Sequence, residues 1–156
     1  MNISKENDGV RYLLCALDIL TRKLRVKPLK SKTAKEVLKA MTEMLKEVKP
    51  MKIRSDKGSE FANQWFKIFM KDDEIYFFTT QNPAKANYVE RVQRTLKSLI
   101  YRLMLHRRSY RYIDDLNDIV ANYNDSPHRS LNYLAPNDIN KSNEADIWAY
   151  MYLKKN

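Results

Sequence analysis

Cysteine is nearly absent from this 156-residue sequence, which contains only Cys15. A single cysteine excludes an internal disulfide and is typical of a reducing compartment. The sequence also has only two histidines, so the cysteine and histidine ligands of a zinc finger cannot be assembled from it. Functions that depend on a disulfide scaffold or on a zinc-finger module are therefore excluded.

Long apolar runs are missing as well. No stretch approaches the ~20 apolar residues that a membrane-spanning helix needs. Residues 1–8 also lack the apolar core of a signal peptide. We therefore expect an intracellular protein, nuclear or cytoplasmic, without a membrane partner.

Positive charge is abundant, because 29 lysines and arginines against 19 acids give a formal net charge of +10. Such a surface attracts polyanions, although the balance alone fits nucleic acid, acidic membranes or mere solubility. Hydrophobic residues make up 44% of the chain and charged residues 31%, which is a globular composition. The length predicts one domain with a sizeable core.

The hydrophobic pattern predicts an α/β order that begins with an antiparallel hairpin. A capping box from Thr33 to Glu36 starts the first helix, and Asn82-Pro83 starts the long one. Aromatic residues on the second helix are expected to be core, namely Phe61, Trp65, Phe66 and Phe69. We predict strands at 10–19, 24–29, 51–55 and 75–79, and helices after 33, around 61–69, at 83–106, around 112–123 and at 145–153.

Two carboxylates have unusual surroundings in this pattern. Asp56 follows a short apolar strand and precedes a turn at Gly58, whereas Glu90 lies near the start of the long helix. Arg94 and Lys97 follow Glu90 at i+4 and i+7, on the same helical face. An acid at a strand end and an acid on a helix can converge on a divalent cation beside a polyanion, as phosphoryl-transfer chemistry requires.

These motifs, taken in order, resemble the catalytic core of retroviral-type integrases, in particular those of retrotransposons and large self-synthesising DNA transposons. The resemblance covers roughly residues 10–140, with 33 residues between the two acids. It lies in Leu17-Asp18-Ile19-Leu20-Thr21-Arg22-Lys23, Pro28-Leu29-Lys30-Ser31-Lys32-Thr33, Ser55-Asp56-Lys57-Gly58-Ser59-Glu60-Phe61, Lys85-Ala86, Val89-Glu90-Arg91, Arg94-Thr95-Leu96-Lys97, Tyr123-Asn124, His128-Arg129-Ser130-Leu131 and Pro136.

The resemblance implies a ribonuclease H-like mixed sheet with flanking helices, and a reaction that cuts and joins DNA ends. That family uses an Asp, Asp, Glu triad and two Mg²⁺ or Mn²⁺ ions. By resemblance, Asp56 is the second acid and Glu90 the third, each both catalytic and metal-binding. DNA is the implied partner, with homo-oligomerisation left open. The candidate DNA contacts are Lys85, Arg91, Arg94 and Lys97.

The first acid of the triad has no clear counterpart in this sequence. Asp18 lies on the leading strand, but the family pattern places its catalytic Asp on a preceding strand, so we expect Asp18 to be structural. We therefore predict a core over residues 1–140 that lacks its first strand and is inactive in this form. Residues 141–156 are predicted to form a helical extension.

Other interpretations remain open for these residues. Asp56-Lys57-Gly58 can be an ordinary β-turn, Glu90 with Arg94 can be a surface ion pair, and the basic helix face can simply be solvated. For the whole chain, the alternatives are a non-catalytic DNA-binding relic or domesticated domain, and, less favoured, a ribonuclease H acting on RNA–DNA hybrids. The Asp-x-Gly-x-Glu-Phe sequence at residues 56–61 and the basic helix argue against the last.

Overall fold

A computed structural model describes residues 2–55, 64–79 and 87–153 of the chain. Within these ranges the chain forms two compact units. The first comprises the described parts of Met1–Leu14 and Lys27–Asn87, and the second those of Cys15–Val26 and Tyr88–Asn156. The hairpin near the amino terminus contributes residues to both units.

The order of elements confirms the α/β prediction. Short 3-10 turns occur besides the main elements, and the long helix is described from Asn87 onward, so its expected cap at Asn82-Pro83 lies outside the described residues. The described elements are β1 (Tyr12–Leu17), β2 (Leu24–Leu29), α1 (Ala34–Glu47), β3 (Lys52–Ser55), α2 (Gln64–Asp72), β4 (Tyr76–Thr79), α3 (Asn87–Arg107), α4 (Leu116–Asp125) and α5 (Glu144–Tyr152).

The start of α1 shows how local sequence sets an element boundary. The Thr33 hydroxyl accepts a hydrogen bond from the Glu36 backbone N–H at 3.4 Å, as the capping box predicts. The Glu36 carboxylate instead accepts bonds from the backbone N–H groups of Lys30 (2.9 Å) and Ser31 (2.7 Å). These bonds, with one from the Ser31 hydroxyl, hold the pKa of Glu36 below its usual value and tie the end of β2 to the first turn of α1.

In the first unit, β3 and β4 pair in parallel and pack against α2. Ile53 lies opposite Phe77 in the register, and the Phe77 ring meets the Phe66 ring edge-on with centroids 4.8 Å apart. Phe66 is 1% exposed, because α2 directs it at the sheet together with buried Met70 four residues later. This packing fixes the strand after which Asp56 follows in the sequence.

The prediction that Trp65 belongs to the core was wrong, since its side chain is 72% exposed. Successive helical residues point ~100° apart, so Trp65 and Phe66 cannot both face the sheet. Phe69 lies three residues after Phe66, next to it on the face that packs against the sheet, and is half-buried. Phe61 lies outside the described residues.

In the second unit, α3 buries one stripe of apolar side chains and exposes the opposite stripe. Val92, Leu96 and Ile100 are buried at helical spacing, as predicted. A second apolar cluster gathers Leu131 with Ile147 and Met151 of α5. The stripe determines which side of α3 faces solvent, and therefore where its charged residues lie.

Candidate active site on the third helix

Glu90 lies in the first turn of α3, and its side chain is exposed. An acid in this position is favoured by the partial positive charge of a helix amino terminus. Among the described residues, no hydrogen bond or ion pair engages the Glu90 carboxylate, and the alternative of a surface ion pair with Arg94 is therefore not formed. No described residue therefore competes with a ligand for this carboxylate.

The predicted DNA-contacting cations on α3 are exposed beside Glu90. Arg94 and Lys97 follow at i+4 and i+7, so all three share the helix face opposite the buried stripe. Arg91 is also exposed, about a quarter-turn away. Farther along the same face lies Tyr101, whose side chain is 69% exposed. The described part of the site is thus one acid followed by a row of cations.

Two predicted site residues lie outside the described residues. Asp56 is the residue immediately after the last residue of β3, and Lys85 lies two residues before the described start of α3. Their catalytic, metal-binding and DNA-binding roles stay predictions.

The metal-ligand chemistry can be assessed for the described residues. Over 2–55, 64–79 and 87–153, no group of three His, Cys, Asp or Glu side chains is positioned to hold a metal ion. Glu90 nevertheless offers the hard oxygen ligand that Mg²⁺ and Mn²⁺ prefer. Its exposure and lack of a competing partner fit a metal ligand, provided that a second acid comes from outside these ranges.

Asp18 has a structural role in the turn that joins β1 to β2. Its Oδ1 accepts hydrogen bonds from the backbone N–H groups of Leu20 (2.9 Å) and Thr21 (2.8 Å). Its backbone carbonyl accepts a third bond from the Arg22 N–H at 2.8 Å. Such side-chain bonding to nearby N–H groups is how Asp stabilises tight turns. The geometry therefore fits the structural role that was expected for Asp18.

Arg22, which the sequence did not single out, supports the start of α3. It adopts a left-handed backbone conformation (φ 59°), is 6% exposed, and lies with its guanidinium carbon 4.0 Å from the centroid of the Tyr88 ring. Its Nη2 is 3.6 Å from the sulfur of Met151. A cation over an aromatic face is an attractive arrangement. Tyr88 precedes Glu90 by two residues, so this contact restrains the turn that carries the acid. No local sequence pattern signals a buried arginine of this kind.

Cys15 and His128 are not reactive centres. Burial raises the pKa of the Cys15 thiol to about 11, against the opposing effect of the Lys97 charge, so the thiol is protonated near neutral pH. His128 Nε2 donates to the Tyr123 carbonyl at 3.1 Å, and the two rings pack with centroids 4.6 Å apart. The His128 ring is thus a structural hydrogen-bond donor in its loop.

In the described parts of the chain, no helix combines the length and apolar character needed to cross a bilayer.

Comparison with known sequences shows a relationship to mobile elements. No protein-family model matches the chain. A transposon-derived protein of Caenorhabditis elegans is 40% identical over 129 residues, which are 81% of this chain and 45% of that protein. The Pro-Pol polyprotein of feline foamy virus is 27% identical over 103 residues, or 65% of this chain and 9% of the polyprotein. The chain thus spans less than half the length of either relative.

Comparison with solved structures identifies the fold. The integrase catalytic core domain of HTLV-2, solved with magnesium in a trimeric form, superposes with a TM-score of 0.71 at 21% identity, covering 81% of this chain and 82% of that one. The catalytic core domain of BIV integrase gives 0.71 at 17% identity, with 87% and 89% covered. A chain of the simian T-cell lymphotropic virus intasome in complex with the PP2A regulatory subunit B56 gamma gives 0.73 at 18% identity, with 90% and 48% covered. The predicted ribonuclease H-like mixed α/β fold with flanking helices is confirmed.

Proposed function

Because the chain has the fold of a retroviral-type integrase catalytic core, we propose that it is the core domain of a mobile-element integrase, which binds DNA and acts in metal-dependent DNA strand transfer. The observation that carries this proposal is the α3 surface, where an exposed Glu90, which has no partner among the described residues, precedes exposed Arg91, Arg94 and Lys97. The transposon-derived relative supports a mobile-element origin.

In the proposed mechanism, Asp56 and Glu90 hold the divalent cations. When bound, Mg²⁺ or Mn²⁺ would activate the attacking oxygen and stabilise the leaving oxygen of an in-line displacement. Glu90 contributes a carboxylate on a rigid helix, and the Arg22–Tyr88 contact limits the movement of that turn. Arg94 and Lys97 neutralise phosphates beside the ions, joined by Arg91 and Lys85, and so position the DNA strand. This use of DNA would place the protein in the nucleus or the cytoplasm, and homo-oligomerisation is compatible with it.

A non-catalytic DNA-binding domain is the second candidate function. It is favoured by the hydrogen bonds of Asp18, because an Oδ1 that accepts two backbone N–H groups of the hairpin turn serves that turn rather than a metal ion. Both functions use the α3 surface to bind DNA, and only the first includes the metal-dependent reaction.

The metal site predicts a specific response to Mn²⁺. Substoichiometric Mn²⁺ should broaden the amide NMR signals around Glu90, because a bound paramagnetic ion relaxes nearby protons. Asp56→Asn should abolish this broadening, since a neutral amide is a poor ligand for a hard cation beside a single remaining carboxylate. The measurement is the ¹H–¹⁵N spectrum of the full chain with and without Mn²⁺.

Glu144 provides a matched control for this experiment, because it is also an exposed acid in the first turn of a helix. Glu144→Gln should leave the broadening near Glu90 unchanged, whereas Glu90→Gln should remove it. Equal broadening in wild type and Asp56→Asn would reject the shared metal site.

The DNA surface predicts a change in salt dependence. Replacing Arg94 and Lys97 together with alanine should weaken duplex binding and reduce the slope of log K against log salt by ~1.8, since each neutralised phosphate contributes ~0.9. Fluorescence anisotropy with a labelled duplex at several salt concentrations measures this slope. Lys35→Ala with Lys39→Ala, which removes two exposed lysines of α1, is the control. An unaltered slope in the α3 variant would contradict the proposed contact.

A further inference from the structure

The face of β3 and β4 that points away from α2 carries exposed aromatic rings. Phe77 points towards α2, where it meets Phe66. Side chains alternate along a strand, so Tyr76 and Phe78 lie on the opposite face. Tyr76 is 63% exposed and Phe78 36%, with ring centroids 5.5 Å apart and planes inclined by 30°. Two large rings therefore stand side by side in solvent.

The register of the parallel pair places a cation next to each ring. Lys52 lies opposite Tyr76 and Arg54 opposite Phe78, and paired residues of adjacent strands share a face. Lys52 is exposed and Arg54 is half-buried. The face therefore alternates basic and aromatic side chains across two strands.

A second pair of cations flanks β4 on its other side. A cleft of about 450 Å³ runs along this strand and is lined by Tyr76 and Phe78 together with Lys67 and Lys71 of α2. In the part of the chain that the structure describes, β4 pairs with β3 alone, so the cleft is open along this edge. The rings of β4 thus lie between two rows of positive charge.

We propose that this surface, formed by Lys52, Arg54, Tyr76 and Phe78 with Lys67 and Lys71 at its edge, binds single-stranded DNA. Aromatic rings provide stacking surfaces for bases, and flanking cations follow the phosphate backbone, which is the common arrangement in single-strand binding proteins. The surface lies on other elements than the α3 face, so the inference goes beyond the proposed function. Only the choice of DNA over RNA rests on that function.

Charge and shape favour this occupant over the alternatives. A duplex keeps its bases stacked internally, so it would leave both rings without a partner. A second copy of the chain would bring like charges together across the contact, and the chain carries a net charge of +10. Three acids that run from the last residue of α2 towards β4, Asp72, Asp73 and Glu74, would repel phosphates and so confine the site to the length of the strand. We therefore expect it to hold about two stacked bases.

The test is the binding of a fluorescent oligothymidine to the full chain, followed by anisotropy at low salt. Tyr76→Thr with Phe78→Thr removes both rings and replaces them with β-branched side chains, which also favour strands. We expect this variant to bind the oligonucleotide at least about tenfold more weakly, since each lost stack of a base on an aromatic ring lowers affinity by roughly fivefold or more. Its affinity for a duplex of equal length should be unchanged.

Trp148 and Tyr152 provide a matched control pair on α5. Their centroids are also 5.5 Å apart, and they are 50% and 44% exposed, but the first turn of their helix is acidic. Trp148→Ala with Tyr152→Ala should leave oligothymidine binding unchanged. Photocrosslinking with 5-iodouridine DNA should label Tyr76 or Phe78, which reports contact even if the threonine variant is destabilised.

Three outcomes would overturn the inference. One is oligothymidine affinity that is unchanged in the Tyr76→Thr, Phe78→Thr variant together with crosslinks only elsewhere. Another is sedimentation showing that these substitutions dissociate a dimer that does not bind oligothymidine. A third is a loss of affinity for the duplex, in the same variant, as large as its loss of affinity for oligothymidine. Glu90→Gln separates the two proposals, because it should remove the metal response and leave oligothymidine binding intact.

Discussion

Phe66→Ala is expected to lower the free energy of unfolding by ~3–5 kcal/mol, as complete removal of a buried aromatic ring typically does. Phe66 is 1% exposed and makes the edge-on contact with Phe77 that joins α2 to β4. Truncation leaves a cavity between helix and sheet and removes the aromatic pair. Urea unfolding followed by circular dichroism measures the change.

The neighbouring residue provides the matched control, since Trp65 is a larger aromatic on the same helix that is 72% exposed. Trp65→Ala should change the free energy of unfolding by less than ~0.5 kcal/mol, as surface substitutions usually do. Comparable losses in the two variants would show that α2 does not pack by the Phe66 face. The contrast matters for function, because this packing supports β4, which pairs with β3, the strand that Asp56 follows.

The sequence predicted the elements of this fold better than the individual side chains. Periodic apolar residues fix the buried stripe of α3, and Val92, Leu96 and Ile100 are buried as the spacing indicated. The same periodicity placed Glu90 on the exposed side of α3, because residues opposite the buried stripe of the helix face solvent. Local pattern and tertiary packing agree for this helix.

Predictions failed where the hydrophobic character of a residue was taken as evidence that its side chain is buried. Trp65 was assigned to the core with Phe66, although adjacent residues cannot share one helix face. Tyr76 and Phe78 illustrate the same limit on a strand, since sequence alone did not show which face of β4 would be left uncovered. Exposure of large rings depends on what packs nearby, and that is set by the whole fold.

Contacts between distant residues could not be foreseen from the sequence at all. The position of Arg22 between β1 and β2 predicts an exposed, charged turn residue. It is instead buried against Tyr88, 66 positions later in the chain. Asp18 could be assigned to a turn because its partners are two and three residues away. Short-range hydrogen bonds leave a local signature, whereas burial of a polar side chain by remote elements does not.

Asn124→Ala is expected to lower the free energy of unfolding by ~2–4 kcal/mol, which is the range for leaving two buried backbone groups without partners. The Asn124 amide bonds both backbone groups of Leu24, with Oδ1 accepting from the N–H at 2.8 Å and Nδ2 donating to the carbonyl at 2.9 Å. Asn124 is 5% exposed and Leu24 1%, so water cannot replace either bond. Asn124 of α4 thus makes the two hydrogen bonds to Leu24 that a neighbouring strand would make, and so attaches α4 to β2.

Asn122→Ala isolates this effect, because Asn122 is exposed and lies two residues earlier on the same helix. Both substitutions raise helix propensity by a similar amount, so their difference in unfolding free energy measures the contact with Leu24. Asn124→Asp is the sharper variant. Its carboxylate can still accept from the Leu24 N–H but would face the Leu24 carbonyl without a proton to donate. It should therefore be destabilised near neutral pH and partly recover in acid, where a protonated carboxyl can donate. Destabilisation equal to that of Asn122→Ala, or no recovery in acid, would show that the amide does not hold β2 in this way.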